Sequence, residues 1–174
     1  MLFRSVFFYA MIYGAGDVKL GEVLGVSGKK AGAAGRAARG RLMTGVPALG
    51  ALVKAIQAAV QKRGWLRGLD GRRLVARAEN AALNTLLQSA GAVQMKRGLV
   101  NLVDAANKLG WEFGKEYAIV GLIHDEWQTN VLPELADPFI TLAVQAIRDA
   151  GSFFNFRCPL DGQGKAGETW KDTH

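Results

Sequence analysis

The stretch "YAIVGLIHDEWQTNV" at residues 117–131 constrains this chain more than any other. Seven largely apolar residues, 117–123, form a continuous run of strand length, the pattern of a strand buried on both faces. From residue 126 apolar and polar residues alternate, so 126–131 reads as a half-exposed partner strand, with His124-Asp125 as the tight turn between them. The hairpin therefore raises two adjacent carboxylates, Asp125 and Glu126, at the end of an apolar strand. Adjacent acids repel, which favours a cation between them. Hard cations such as Mg²⁺ take oxygen ligands of this kind and keep sites open for water or phosphate oxygens.

The other elements follow from punctuation and period. Residues 3–13 read as a helix stopped at Gly14-Ala15-Gly16. Asp17 is a candidate cap for a short helix to Leu24, and Ser27 for another through "GKKAGAAGRAARGRLM", despite five glycines between 28 and 45. Pro47 opens an amphipathic helix over 47–62, with Leu49, Leu52, Val53, Ile56 and Val60 at helical spacing. "WLRGLDGRRLVAR" reads as a hairpin turning at Asp70-Gly71. Residues 80–109 form a long helical pattern. Asp137-Pro138 marks the start of a helix to about Ala150, and "FFNFRCPL", 153–160, reads as a last strand limited by Pro159. Helices and hairpins in this order imply an α+β domain.

Charge is unevenly placed. Between Lys19 and Arg73 twelve Lys and Arg face only Glu22 and Asp70, a balance of +10. From residue 101 onward eleven acids face six bases. A basic half points to a polyanionic partner. No apolar run approaches the roughly 20 residues that span a bilayer, so no membrane partner is expected. The aromatics Phe7, Phe8, Tyr9 and Tyr13 suit a packed helix better than a signal peptide. A lone cysteine, Cys158, excludes an intrachain disulfide and fits a reducing compartment.

Several site types fail on spacing. "GVSGKKAG" has no glycine five residues before Gly28 and no Ser or Thr after Lys29, so it is not a phosphate loop. "GAGDVKLG" lacks the third glycine of a dinucleotide fingerprint. One Cys and two His cannot build the usual zinc sites.

Four stretches together resemble the C-terminal part, fingers and part of the palm, of a family A DNA polymerase of the kind made by short-tailed phages. "FFYAMIYGAGD" resembles the end of the fingers helix, "GLDGRR" the hairpin after it, "AALNTLLQSAGA" the start of the long palm helix, and "VGLIHDEWQ" the catalytic turn. The tail "FNFRCPLDGQGKAG", which continues to His174, is also similar to the phage branch. The resemblance implies a fingers-like helical region at 1–63, a hairpin at 64–78 and a partial palm at 79–174, with a small antiparallel sheet from hairpin 117–131 and strand 153–160. It implies that Asp125 is the catalytic metal ligand for Mg²⁺, that Glu126 supports it and that His124 packs near the primer terminus. Tyr9 would contact the sugar of the incoming nucleotide, Tyr13 would stack at the templating site, and Gln88 and Asn84 would contact the primer-template. The implied partners are primer-template DNA and deoxynucleoside triphosphates, and the implied compartment is cytoplasmic, the host cytoplasm for a phage gene.

The departures define a second expectation. Where the family's fingers helix carries a triphosphate-binding Lys, this chain has Ser5, with Arg4 its only basic neighbour; the family's Arg position falls at Met1. The upstream motif Asp-x-Ser-x-x-Glu, source of the other catalytic carboxylate, is absent. Asp17 and Glu22 have its outer spacing but lack the Ser and lie after the fingers helix. The chain therefore reads as about the last quarter of such an enzyme, inactive alone and in need of the upstream fragment. The upstream motif's strand normally pairs beside the His-Asp-Glu hairpin, so an apolar edge is expected on strand 117–123. Two other classes stay open: a non-catalytic basic DNA-binding module or remnant, and a metal-binding structural domain.

Overall fold

The computed structural model describes residues 2–173, with side chains from Ser5 onward. Met1 and His174, and the side chain of Arg4, lie outside the described residues. The chain divides into two units, Met1–Ser89 and Ala90–His174.

The first unit is helical. Helix α1 (Leu2–Ile12) is followed by Gly14 at φ 84°, the left-handed backbone that stops helices. Helix α2 (Asp17–Val23) packs on α3 (Ala31–Gly45) backbone against backbone. A Cβ at Gly21 would lie 2.0 Å from the Ala31 carbonyl oxygen, and one at Gly35 would lie 1.9 Å from that of Asp17. Only glycine permits this approach. Phe7, Met11 and Leu20 form the adjoining core, flanked by Ala38, Leu42 and Met43. Helix α4 (Pro47–Arg63) begins with the proline at its first position and ends at Gly64, φ 75°. The hairpin of β1 (Leu66–Arg67) and β2 (Arg73–Leu74) turns through Asp70-Gly71 and feeds a short 3₁₀ turn, Glu79–Ala81. There α5 (Ala82–Lys108) begins. Ile56, Leu66, Ala82 and Leu83 form a second core, lined by Val53, Val60 and Leu74.

The second unit holds the rest of α5, a two-stranded antiparallel sheet of β3 (Tyr117–Ile123) and β4 (Glu126–Val131), and α6 (Ala136–Phe153). Leu102, Ala106, Tyr117, Phe139 and Ala146 make its core, with Trp111, Trp127 and Leu142 packed on it. Tyr117 is fully enclosed; its ring lies 5.4 Å from that of Phe139, and burial pushes its phenol pKa up. Segment 160–164 crosses α6 through small residues: Leu160 lies over Gly151, and Gly162 and Gly164 sit against Ile147 and Ile140. A short helix, α7 (Trp170–Thr173), follows.

Four expectations need correction. No strand forms at 153–160. Helix α6 continues through Phe153 and closes with the Asn155 N–H donating to Ser152 O (3.0 Å) and the Phe156 N–H to Gly151 O (3.0 Å), with Asn155 at φ 53°. That paired closure needs a left-handed residue, which Asn tolerates, and it turns the aromatic run out of any ladder. Strand β3 is not enclosed on both faces: Val120 and Leu122 are more than half exposed, and apart from an isolated bridge of Tyr117 to Phe113 it pairs, within the described residues, with β4 alone. Ser27 makes no side-chain cap, since a 3₁₀ turn, Gly28–Lys30, precedes α3. Asp17 is the first residue of α2 rather than its cap, and its carboxylate turns to Arg36 (3.2 Å) and Arg39 (3.1 Å).

Candidate functional site

The turn between β3 and β4 is built to expose. Ile123 and Glu126 are register partners, so the loop is only His124 and Asp125. His124 sits at φ 54°, a conformation that His, Asn and Asp adopt more readily than other residues with a side chain. Both loop residues are exposed. Just behind them Trp127 packs into the core, its ring over Gly98 of α5: a Cβ there would lie 2.9 Å from the indole. Asn101, also on α5, donates to the Ala146 carbonyl (3.2 Å) and ties α5 to α6 beneath the sheet. The carboxylate of Asp125 thus stands at the tip of a hairpin held, just behind the turn, by the half-buried Trp127 indole. Glu126 is half-buried and accepts a hydrogen bond from the Gln128 side-chain amide.

The donor set of this turn fits part of a magnesium site. Asp125 offers two free-facing carboxylate oxygens of the hard type Mg²⁺ prefers. No group of three or more His, Cys, Asp and Glu side chains that could hold a metal occurs among the described residues. The turn supplies one ligand, not a cage.

The other predicted residues lie in the first unit. Tyr9 and Tyr13, at the end of α1, are each about 60% exposed, and Phe8 stands edge-on to Tyr9. Such exposure of large aromatics is costly in an isolated surface and suits a face that meets another molecule. Gln88 of α5 donates from its side-chain amide to the Tyr13 hydroxyl (3.2 Å). Asn84, one turn earlier, keeps its side-chain oxygen buried without a hydrogen-bond partner. The structure thus joins Tyr13 to Gln88 and sets Asn84 behind them.

Two residues escaped the sequence reading. Asn80 donates to the Gly14 carbonyl (2.8 Å), and its own carbonyl would sit 2.5 Å from a Cβ at Gly14, so the end of α1 is latched to the start of α5. Arg39 donates to the Ala15 carbonyl (2.7 Å) while paired with Asp17. The glycine after Tyr13 was the available signal for the latch; its partner, 66 positions away, was not readable.

The sequence model of DNA polymerase family A matches residues 5–172, and the chain belongs to that family. It is 38% identical over a 189-residue alignment to the DNA-directed DNA polymerase of Enterobacteria phage T3 and 37% identical to that of Escherichia phage T7. Each alignment covers 98% of this chain and 26% of the relative. The DNA-directed DNA polymerase of Escherichia phage Phieco32 is 34% identical, with 98% of this chain and 27% of that protein covered. The chain spans about a quarter of the length of these relatives. Its fold matches the POL domain of Pol1 from M. smegmatis, solved in complex with DNA primer-template and dNTP. The TM-score is 0.70 at 20% identity, over 84% of this chain and 26% of that one. No single helix among the described residues is long and apolar enough to cross a membrane.

Proposed function

We propose that the chain forms the fingers (1–63), the following hairpin (64–78) and part of the palm (79–174) of a template-directed DNA polymerase working in the host cytoplasm of a phage-type replication system. The observation that carries this reading is the exposed Asp125 on a turn anchored by Trp127, in a chain matched to the family over nearly its full length. Asp125 would hold Mg²⁺, which when bound neutralises the triphosphate and activates the primer 3′ oxygen for in-line displacement. Glu126, held by Gln128, keeps the second carboxylate back as support. His124 lies beside Asp125, where the primer terminus would arrive. Tyr9 would meet the sugar of the deoxynucleoside triphosphate, and Tyr13 the templating base. Gln88 and Asn84 would face the primer-template, where a side-chain amide checks pair shape through minor-groove acceptors common to all pairs.

Phosphoryl transfer is positioning plus charge neutralisation. One carboxylate turn cannot hold two metal ions in register, so residues 1–174 alone are not expected to extend a primer. The test mixes this polypeptide with an upstream polymerase fragment carrying Asp-x-Ser-x-x-Glu and follows primer extension. Extension should need both pieces and Mg²⁺, and should be abolished by Asp125→Asn. Full-rate extension by the 174-residue chain alone, or by the Asp125→Asn mixture, would refute the assignment. A second reading, a non-catalytic basic DNA-binding module, draws on the charge imbalance of 19–73 and the single carboxylate turn. It predicts DNA binding with no gain of extension in the mixture.

A further inference from the structure

The hairpin at 66–74 has two unlike faces. Leu66 is buried and Leu74 half-buried, both in the core of the first unit. Strand alternation puts Trp65, Arg67 and Arg73 on the opposite face. Arg67 and Arg73 are direct cross-strand partners, a like-charge pairing that costs stability rather than adding it. The Arg63 and Arg73 guanidinium carbons each lie 4.9 Å from the centre of the Trp65 ring. The one acid in the segment, Asp70, is bonded to Arg72 at 2.6 Å and relieves none of the three. Among the described residues Arg63, Arg67 and Arg73 make no ion pair. The C-terminal end of α4 attracts cations and accounts for Lys62 and Arg63. The Trp65 ring accounts for Arg73, but nothing in the unit accounts for setting Arg67 directly opposite it.

We infer that this face, Trp65 with Arg63, Arg67 and Arg73, is a binding site for single-stranded nucleic acid. The inference rests on the reading that the chain handles DNA, and it names where an unpaired strand is held. Phosphates would relieve the Arg67–Arg73 repulsion, as no group of the chain does. Guanidinium planes and an indole are the surfaces on which unpaired bases stack, and that combination marks single-strand binders. A duplex hides its base faces and would meet only the charges. An acidic peptide would meet only the charges as well.

The test measures binding of the 174-residue chain to a labelled oligo-dT strand and to a blunt duplex over a series of salt concentrations, with poly-glutamate as competitor. Trp65→Ala should weaken oligo-dT binding roughly tenfold, the size of a lost stacking contact, and leave duplex binding unchanged. Trp65→Phe should restore most of the loss. Arg73→Ala and Arg67→Ala should each reduce the single-strand salt slope by about 0.7. Arg67→Ala should leave thermal stability equal or raised, because a repulsion is removed, whereas Arg73→Ala also gives up the contact with the Trp65 ring. Oligo-dT binding unchanged in all these variants would overturn the site while leaving the DNA-handling reading intact. Equal loss on strand and duplex, or displacement of oligo-dT by poly-glutamate at equal charge, would reduce the site to a patch of charge and overturn it. Absence of salt-dependent binding to either DNA would sink both readings together.

Discussion

Gly35→Ala should unfold the first unit more easily, although the same substitution elsewhere in α3 should stabilise it. Replacing a helical glycine with alanine normally gains about 0.8–1 kcal/mol. At Gly40 nothing lies within 4 Å of a new Cβ, so Gly40→Ala should realise that gain. At Gly35 the Cβ would stand 1.9 Å from the Asp17 carbonyl oxygen and 2.8 Å from the Gly21 nitrogen. Ordinary contact begins near 3.4 Å, so α2 must retreat by about 1.5 Å. Both obstructing atoms are backbone, and no rotamer relieves them. Overpacking of this kind costs about 1–3 kcal/mol and occasionally more. The retreat also loosens Leu20, now wholly enclosed, whose burial is worth about 1.5–3 kcal/mol. It stretches the Asp17 pairs too: the exposed Arg36 partner contributes at most about 1 kcal/mol, and strain on the half-buried Arg39 pair adds to the loss. The clash and the loosened core outweigh the propensity gain, and we expect a net loss of about 2 kcal/mol or more. Urea titration followed by far-ultraviolet circular dichroism should move the midpoint down for Gly35→Ala and up for Gly40→Ala. A Gly35→Ala midpoint at or above that of Gly40→Ala would refute the backbone-contact argument.

Three further outcomes are open to measurement. Gly98→Ala should push on the Trp127 ring at 2.9 Å, destabilise the second unit by about 1–3 kcal/mol, and lower extension in the two-fragment mixture; an unchanged melting temperature would show that the indole moves freely. Primer-template binding should weaken linearly in log–log salt titration, because the segment from Lys19 to Arg73 carries a balance of +10; affinity independent of salt would contradict it. The Gly162 N–H (2.9 Å) and Arg148 (3.0 Å) hold the Asp161 carboxyl below its ordinary value of 3.8. A depressed carboxyl stabilises above the unfolded pKa and loses that stabilisation as pH falls through the folded one. Asp161→Asn should therefore flatten the stability profile below pH 3.8 and leave its shape near neutrality unchanged; an unaltered acid limb would argue against this linkage.

The helices and the two hairpins were legible because their signals are local. Pro47 and Gly14 punctuate the chain where they stand, and the apolar run before His124 fixes the turn whatever surrounds it. The misreadings have two physical sources. "FFNFRCPL" has strand composition, but composition does not report that Asn155 will take a left-handed conformation and close a helix two residues after Phe153. Strand β3 has the apolar pattern of a central strand because pattern reflects what a strand is suited to meet, and only one of its edges is paired to another strand within the described residues, the other carrying just the bridge from Tyr117 to Phe113. Among the candidate site residues, Asp125 could be read from its own turn. The link from Tyr13 to Gln88 joins residues 75 apart and appears only once α1 and α5 are placed.

That half-paired β3 has a consequence for any preparation of this polypeptide. Val120 bulges out of register between Ile119 and Gly121, and beside it Leu122 and Ile123 leave an apolar strip along an open row of backbone donors and acceptors. Folding is a first-order process, whereas docking two such strips is second-order. Dilution therefore changes the balance between single and paired chains without touching the fold. The apparent melting temperature becomes a function of protein concentration, and so does the yield on refolding. Two laboratories working at different concentrations would be measuring different populations. A melting temperature that stays constant across a hundredfold dilution series would show the strip to be inert.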